Sequence, residues 1–234
     1  MITVLTITVA LPTGALAGTA TRPLLFTRTV PAGSPLRNGC SCGAPTRAAV
    51  RLLAPPRGRC AACRTPTYPA RGLPEVMTAL AFALVAATGL TGWLAAAHYW
   101  VAACGTALIL VDAKVHRLPN VLTLPALAGT VALLGAAATA GEHGSLPRAL
   151  AAAVVLGAVF ALMAFGGVGL GDVKLAPTLG ALLGWHSWTT VFTGTFAMFA
   201  LGAAVNLLQG RTRGRVAFGP YMIIGALGVS LCVS

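Results

Sequence analysis

Two kinds of residue in this sequence could do chemistry: a pair of aspartates and a set of four cysteines. The 234 residues include only four acids, Glu75, Asp112, Glu142 and Asp172. Asp112 stands in Asp112-Ala113-Lys114-Val115-His116-Arg117-Leu118-Pro119-Asn120, and Asp172 in Gly169-Leu170-Gly171-Asp172-Val173-Lys174-Leu175. Each borders a long stretch with no charged residue. An ionisable group at membrane depth costs about 2.5–3.5 kcal/mol on insertion scales, so acids kept there suggest a use. The plainer alternative is that each Asp marks a helix end and pairs with a nearby Lys or Arg. If the two carboxyl groups meet, they form an acid and a base in one site. One takes a proton from water while its protonated partner polarises a carbonyl, and like charges held close force the two titrations apart. No Ser–His pair lies at comparable depth, and His116, next to Arg117 in a short basic loop, reads as solvated. Glu142, in Gly141-Glu142-His143-Gly144, reads as a solvated loop acid. Glu75, in Leu73-Pro74-Glu75-Val76, reads as a carboxylate at a helix N-terminus.

The elements that must position these residues follow from where charge is absent. Only 9% of the chain is Asp, Glu, Lys or Arg, and 57% is hydrophobic; a soluble domain carries roughly 25% charged residues. Residues 1–21, 76–111, 118–141, 149–171, 175–210 and 216–234 contain no charged side chain. A membrane span needs about 20 apolar residues. Four of these stretches are one span long. The other two are each long enough for a helical hairpin, with turns at Gly89-Leu90-Thr91-Gly92-Trp93 and Gly184-Trp185-His186-Ser187-Trp188. Glycine permits the turn and tryptophan favours the interface. The expected fold is an all-α integral membrane protein of about eight transmembrane helices. Residues 1–20 form the first helix, 21–74 a long Arg- and Cys-rich loop, and 75–234 a core of about seven helices. No basic segment precedes the first apolar run, so it reads as a span and not as a cleaved signal.

Net charge is +12, which in a soluble protein would point to nucleic acid. Threading eight spans with the N-terminus outside gives another account. The loop 21–74 then holds Arg22, Arg28, Arg37, Arg47, Arg51, Arg57, Arg59, Arg64 and Arg71 inside; Lys114, Arg117, Lys174, Arg211, Arg213 and Arg215 fall inside as well. Only Arg148, of sixteen basic residues, falls outside. This distribution obeys the positive-inside rule and removes the argument for nucleic acid. It also puts Asp112 and Asp172 on the same, cytoplasmic, side. The rival reading, a proton-coupled transporter, uses membrane carboxylates too. Transporter sites lie near midplane between internal repeats, however, and no repeat of halves is evident here.

Taken together, these motifs resemble the prepilin (type IV leader) peptidase family of intramembrane aspartic peptidases. Gly169-Leu170-Gly171-Asp172 with Val173-Lys174-Leu175 resembles the family's second catalytic motif. Asp112 with Pro119 and Asn120 resembles the first. Phe218-Gly219-Pro220-Tyr221, opening the last span, resembles the Phe-Gly-Pro-aromatic pattern of the family's last helix. The resemblance runs over nearly the whole chain and implies that Asp112 and Asp172 are catalytic. It also implies cleavage of a leader peptide after a Gly, at the cytoplasmic face of the plasma membrane, from type IV prepilins or type II secretion pseudopilins. The peptidase reaction would need no cofactor.

Bacterial members of that family carry Cys-x-x-Cys twice in the first loop, which implies a structural zinc. Here Cys60-Ala61-Ala62-Cys63 fits, while Cys40-Ser41-Cys42 is one residue short. Zinc held by Cys40, Cys42, Cys60 and Cys63 is the expectation; four reduced thiols without metal are the alternative. In some members the same loop accompanies N-methylation of the new N-terminus with S-adenosylmethionine, although this chain has no Rossmann-like glycine fingerprint.

Overall fold

The protein is described from a computed structural model covering residues 2–31, 34–37, 39–43, 59–60, 62–65, 69–210 and 217–234. Arg47, Arg51, Arg57, Arg211, Arg213 and Arg215 lie outside the described residues. Eight helices are present among the described residues: α1 (Ile2–Arg28), α2 (Leu73–Ala87), α3 (Gly92–Val115), α4 (Asn120–Thr139), α5 (Leu146–Ala164), α6 (Leu170–His186), α7 (Trp188–Leu208) and α8 (Gly219–Cys232). Both expected hairpin turns fall where the glycines and tryptophans lie. Gly89, at φ +77°, takes the left-handed conformation after α2, and Ser187 alone separates α6 from α7.

Five helices, α1, α3, α4, α5 and α7, are long and apolar enough to cross a membrane. At ~1.5 Å per residue, the 15 residues of α2 and the 14 of α8 are shorter than a ~30 Å hydrocarbon layer. The exterior is apolar, with Leu84, Val154, Leu162, Phe192 and Phe196 all exposed. Polar groups turn inward, as in the buried Thr78–Thr106 hydroxyl pair (2.9 Å). That inversion identifies a multi-pass membrane protein.

The two aspartates ride on the inner helices. α6 is buried around nearly its whole circumference from Leu175 to Trp185, and α3 is the most enclosed of the long spans. α5 packs closely along α6, and α1 along α2. Small residues make this possible: a Cβ on Gly180 would lie 2.6 Å from Ala152 O, and one on Gly18 would lie 2.5 Å from Pro74 O. Helices in lipid associate through such close backbone approach and not through a hydrophobic drive.

One expected boundary moves. The first helix does not stop at residue 20 but runs to Arg28, so the connecting loop is shorter than 21–74. The reason is visible at Arg22. Its guanidinium pairs with Glu75 in the first turn of α2 through Nε, and through Nη2 at 2.7 Å. It also donates to Ala70 O at 3.1 Å. A charged residue that is paired this way lets the helix continue through it.

Candidate active site and cysteine cluster

Asp112 lies one turn before the end of α3 and Asp172 in the first turn of α6, sixty positions apart in sequence. α3 ends when His116 adopts a left-handed backbone (φ 51°). Pro119 then begins the next helix as its N-cap residue, where its missing N–H removes no intrahelical bond. Between them Leu118 folds into the core, 6% exposed, and it is the point where three helix ends converge. A Cβ on Gly171 would lie 3.0 Å from Leu118 Cβ, and one on Gly219, the first residue of α8, would lie 3.4 Å from Leu118 Cδ2. Glycine at these positions lets the starts of α6 and α8 approach Leu118 closely.

This convergence brings the two carboxyl groups to one end of the bundle. Asp112 is 5% exposed and Asp172 8%, and they are close enough to act on each other electrostatically. Asp112 Oδ2 accepts a hydrogen bond from the Gly219 N–H at 3.1 Å. Asp172 Oδ2 lies against Gly169, where a Cβ would come within 3.1 Å. Two neighbouring cations have other partners. Lys174 Nζ donates to Asn120 Oδ1 at 2.8 Å, and Arg117 Nη1 to Pro31 O at 3.1 Å. The aspartates are therefore not simple helix-end partners of those residues. His116 is exposed, as expected of a loop histidine.

The four cysteines also come together. Their sulfurs all lie within 4.8 Å of one another, with Cys40 Sγ 3.5 Å from Cys63 Sγ and Cys42 Sγ 3.8 Å from Cys60 Sγ. A tetrahedral Zn–S distance of about 2.3 Å requires sulfurs roughly 3.8 Å apart, so the residues present fit a closed four-thiolate site despite the short Cys40-Ser41-Cys42 spacing. The Cys42 amide and the Thr65 hydroxyl, both bonded to Cys40 sulfur, pull its thiol down to about 5, and Thr65 lowers Cys63 as well. Thiolates are the ligating form. Thr65 carried no signal in the sequence, since only folding brings its hydroxyl to within 2.9 Å of Cys63 Sγ.

At the opposite end of the bundle one sequence reading changes. Glu142 is not simply solvated: its oxygens accept from the Trp93 and Leu94 amides at 2.6 and 2.9 Å, capping the open N-terminus of α3. Arg148 donates to the carbonyls of Gly184, Trp185 and His186 at 2.6–2.8 Å, closing the C-terminus of α6. Nearby, Ser230 Oγ bridges His98 Nε2 (2.8 Å) and His186 Nε2 (3.2 Å). That buried chain joins residues of three helices and had no sequence signal beyond isolated histidines in apolar runs.

Comparison with known proteins gives the same picture. Residues 99–207, which include both aspartates, match the type IV leader peptidase family. A prepilin leader peptidase/N-methyltransferase of Aeromonas hydrophila is 34% identical over 176 residues, covering 72% of this chain and 60% of that protein. One of Burkholderia pseudomallei is 36% identical over 179 residues, 72% of this chain and 57% of that protein. One of Pseudomonas aeruginosa is 33% identical over 178 residues, 71% of this chain and 60% of that protein. The chain thus spans about 60% of the length of the curated relatives it matches. No solved structure gives a significant match. Through residues 99–207, this chain matches the type IV leader peptidase family.

Proposed function

We propose that this protein is an intramembrane aspartic endopeptidase that removes leader peptides from type IV prepilin-like or pseudopilin substrates, with Asp112 and Asp172 as its catalytic residues. The observation that carries this reading is the convergence, on Leu118 and the start of α8, of the helix ends that bear those two buried carboxyl groups. They share a low-exposure site with no Ser–His pair beside it among the described residues. Two such groups hold one proton between them more readily than none. The ionised member accepts a proton from water, which attacks the scissile carbonyl, while the protonated member donates to the carbonyl oxygen. The relatives' names give prepilins as substrates, and the distribution of basic residues supports a cytoplasmic location for the aspartate end, at the plasma membrane. N-methylation is the second activity in those names; what we propose for this chain is the peptide cleavage.

The four cysteines would hold one structural zinc, tying Cys40 and Cys42 to Cys60 and Cys63 across the loop. Such an ion would supply folding stability to this loop and would take no part in the cleavage step.

Asp112→Asn and Asp172→Asn test the proposal. Each keeps shape and polarity but removes the shared proton. Each should reduce cleavage of a leader–Gly–hydrophobic-segment substrate by at least about 10³-fold, and the double variant should be hardly worse, because the pair acts as one unit. Insertion and accumulation in the membrane should be unchanged. Near wild-type cleavage by either single variant would refute the aspartic mechanism.

A further inference from the structure

We infer that the backbone N–H of Gly219 is a positioning group for the reaction: it holds Asp112 in place from α8, making the N-terminus of the last helix a third component of the site. This rests on the reading of Asp112 as one of the two working carboxyl groups.

The first amides of α8 have unequal fates. Tyr221 and Met222 both donate to Phe218 O, at 3.1 and 3.2 Å. Pro220 has no N–H to give. Gly219 therefore carries the donor that leaves the helix, and it is spent on Asp112 Oδ2 at 3.1 Å. The first N–H groups of any helix lack intrahelical acceptors, and a carboxylate is the acceptor that bonds them most strongly. Both partners are buried, so water does not compete for the donor.

Residue type matters at this point. A Cβ on Gly219 would stand 2.9 Å from Asp112 Oδ2 and 3.4 Å from both Asp112 Cγ and Leu118 Cδ2. Any side chain here pushes the carboxyl group off its position or draws α8 back from α3. The helix start cannot easily yield, because Phe218, the preceding residue, is fixed among aromatics. Its ring centroid is 5.2 Å from that of Phe199, 6.3 Å from that of Tyr221 and 6.5 Å from that of Phe160. A cluster spanning α5, α7 and α8 thus sets the amide, and the amide sets Asp112. Catalytic groups misplaced by about 1 Å lose on the order of 10²-fold in rate, the scale to expect when this contact is broken.

The test uses the full chain in lipid vesicles and a synthetic peptide with a basic leader, a Gly at the cleavage point and a hydrophobic segment. Gly219→Ala should lower kcat by about 10-fold to 100-fold with KM within about twofold. Gly228→Ala, on the same helix with open space around its Cα, should leave kcat unchanged. In glycine-labelled protein, the Gly219 amide proton should resonate downfield and move upfield in Asp112→Asn, while that of Gly228 stays. The resonance decides the matter even if Gly219→Ala fails to accumulate. If Asp112→Asn still cleaves, the aspartic reading fails and this proposal with it. If Asp112→Asn is inactive but Gly219→Ala keeps wild-type kcat, or the Gly219 resonance does not respond, the positioning role alone is overturned.

Discussion

At the residue scale, the cysteine cluster shows how little spacing matters once the chain has folded. Cys40 and Cys42 are one residue closer than the usual pair, yet the cross-loop contacts Cys40–Cys63 and Cys42–Cys60, at 3.5 and 3.8 Å, are near the edge length of a zinc–thiolate tetrahedron. The purified chain is expected to hold about one zinc, and Cys60→Ser to lose it, by elemental analysis under reducing, chelator-free conditions. Metal retention should also fall with pH, because the thiols must be deprotonated to bind. The Cys40 thiol, already drawn down to about 5, should not limit binding near neutral pH. Zero metal at neutral pH would mean that hydrogen bonds alone gather the four sulfurs.

At the element scale, the ends of the inner helices are closed by residues remote in sequence. Arg148, at the start of α5, serves three carbonyls at the end of α6, and its positive charge suits the negative end of that helix. Trp185 is wholly buried there, and its indole N–H donates to His143 O at 3.0 Å. Arg148→Ala would leave the Gly184 and His186 carbonyls without this donor, while Trp185 O keeps the Ser145 amide at 3.2 Å, at a cost of about 1–3 kcal/mol. A lower thermal midpoint in detergent, with kcat little changed, is the expected outcome, since the aspartates lie ~20 Å away along α6 at ~1.5 Å per residue. A loss of activity without loss of stability would mean that this end of α6 communicates with the site.

At the scale of the whole molecule, the decisive property is sidedness. α3 brings Asp112 to the same end of the bundle at which α6 presents Asp172, and helices that traverse alternately make that end a single membrane face. Reporter fusions at Arg37 and Glu142 should report opposite sides, with Arg37 inside. The same side for both would undo the threading and the cytoplasmic location of cleavage together.

The sequence by itself determined the class of protein and singled out the residues proposed for its chemistry. Charge-free stretches of span length marked where the eight helices lie, though α1 runs eight residues past its expected end, because a bilayer imposes length and composition directly. The scarcity of acids drew attention to Asp112 and Asp172, and Gly169 and Gly171 marked the second of them. What only the tertiary structure decided was who meets whom. The convergence of three helix ends on Leu118 and the bond from Gly219 to Asp112 depend on contacts between residues up to 107 positions apart. The Ser230 bridge between His98 and His186, which spans up to 132 positions, and the capping of α3 by Glu142 are long-range contacts as well. In lipid, helix pairing is chosen by local fit between small residues and by a few buried polar bonds. Apolar residues look alike in such a sequence, so those choices leave almost no trace until the helices are packed.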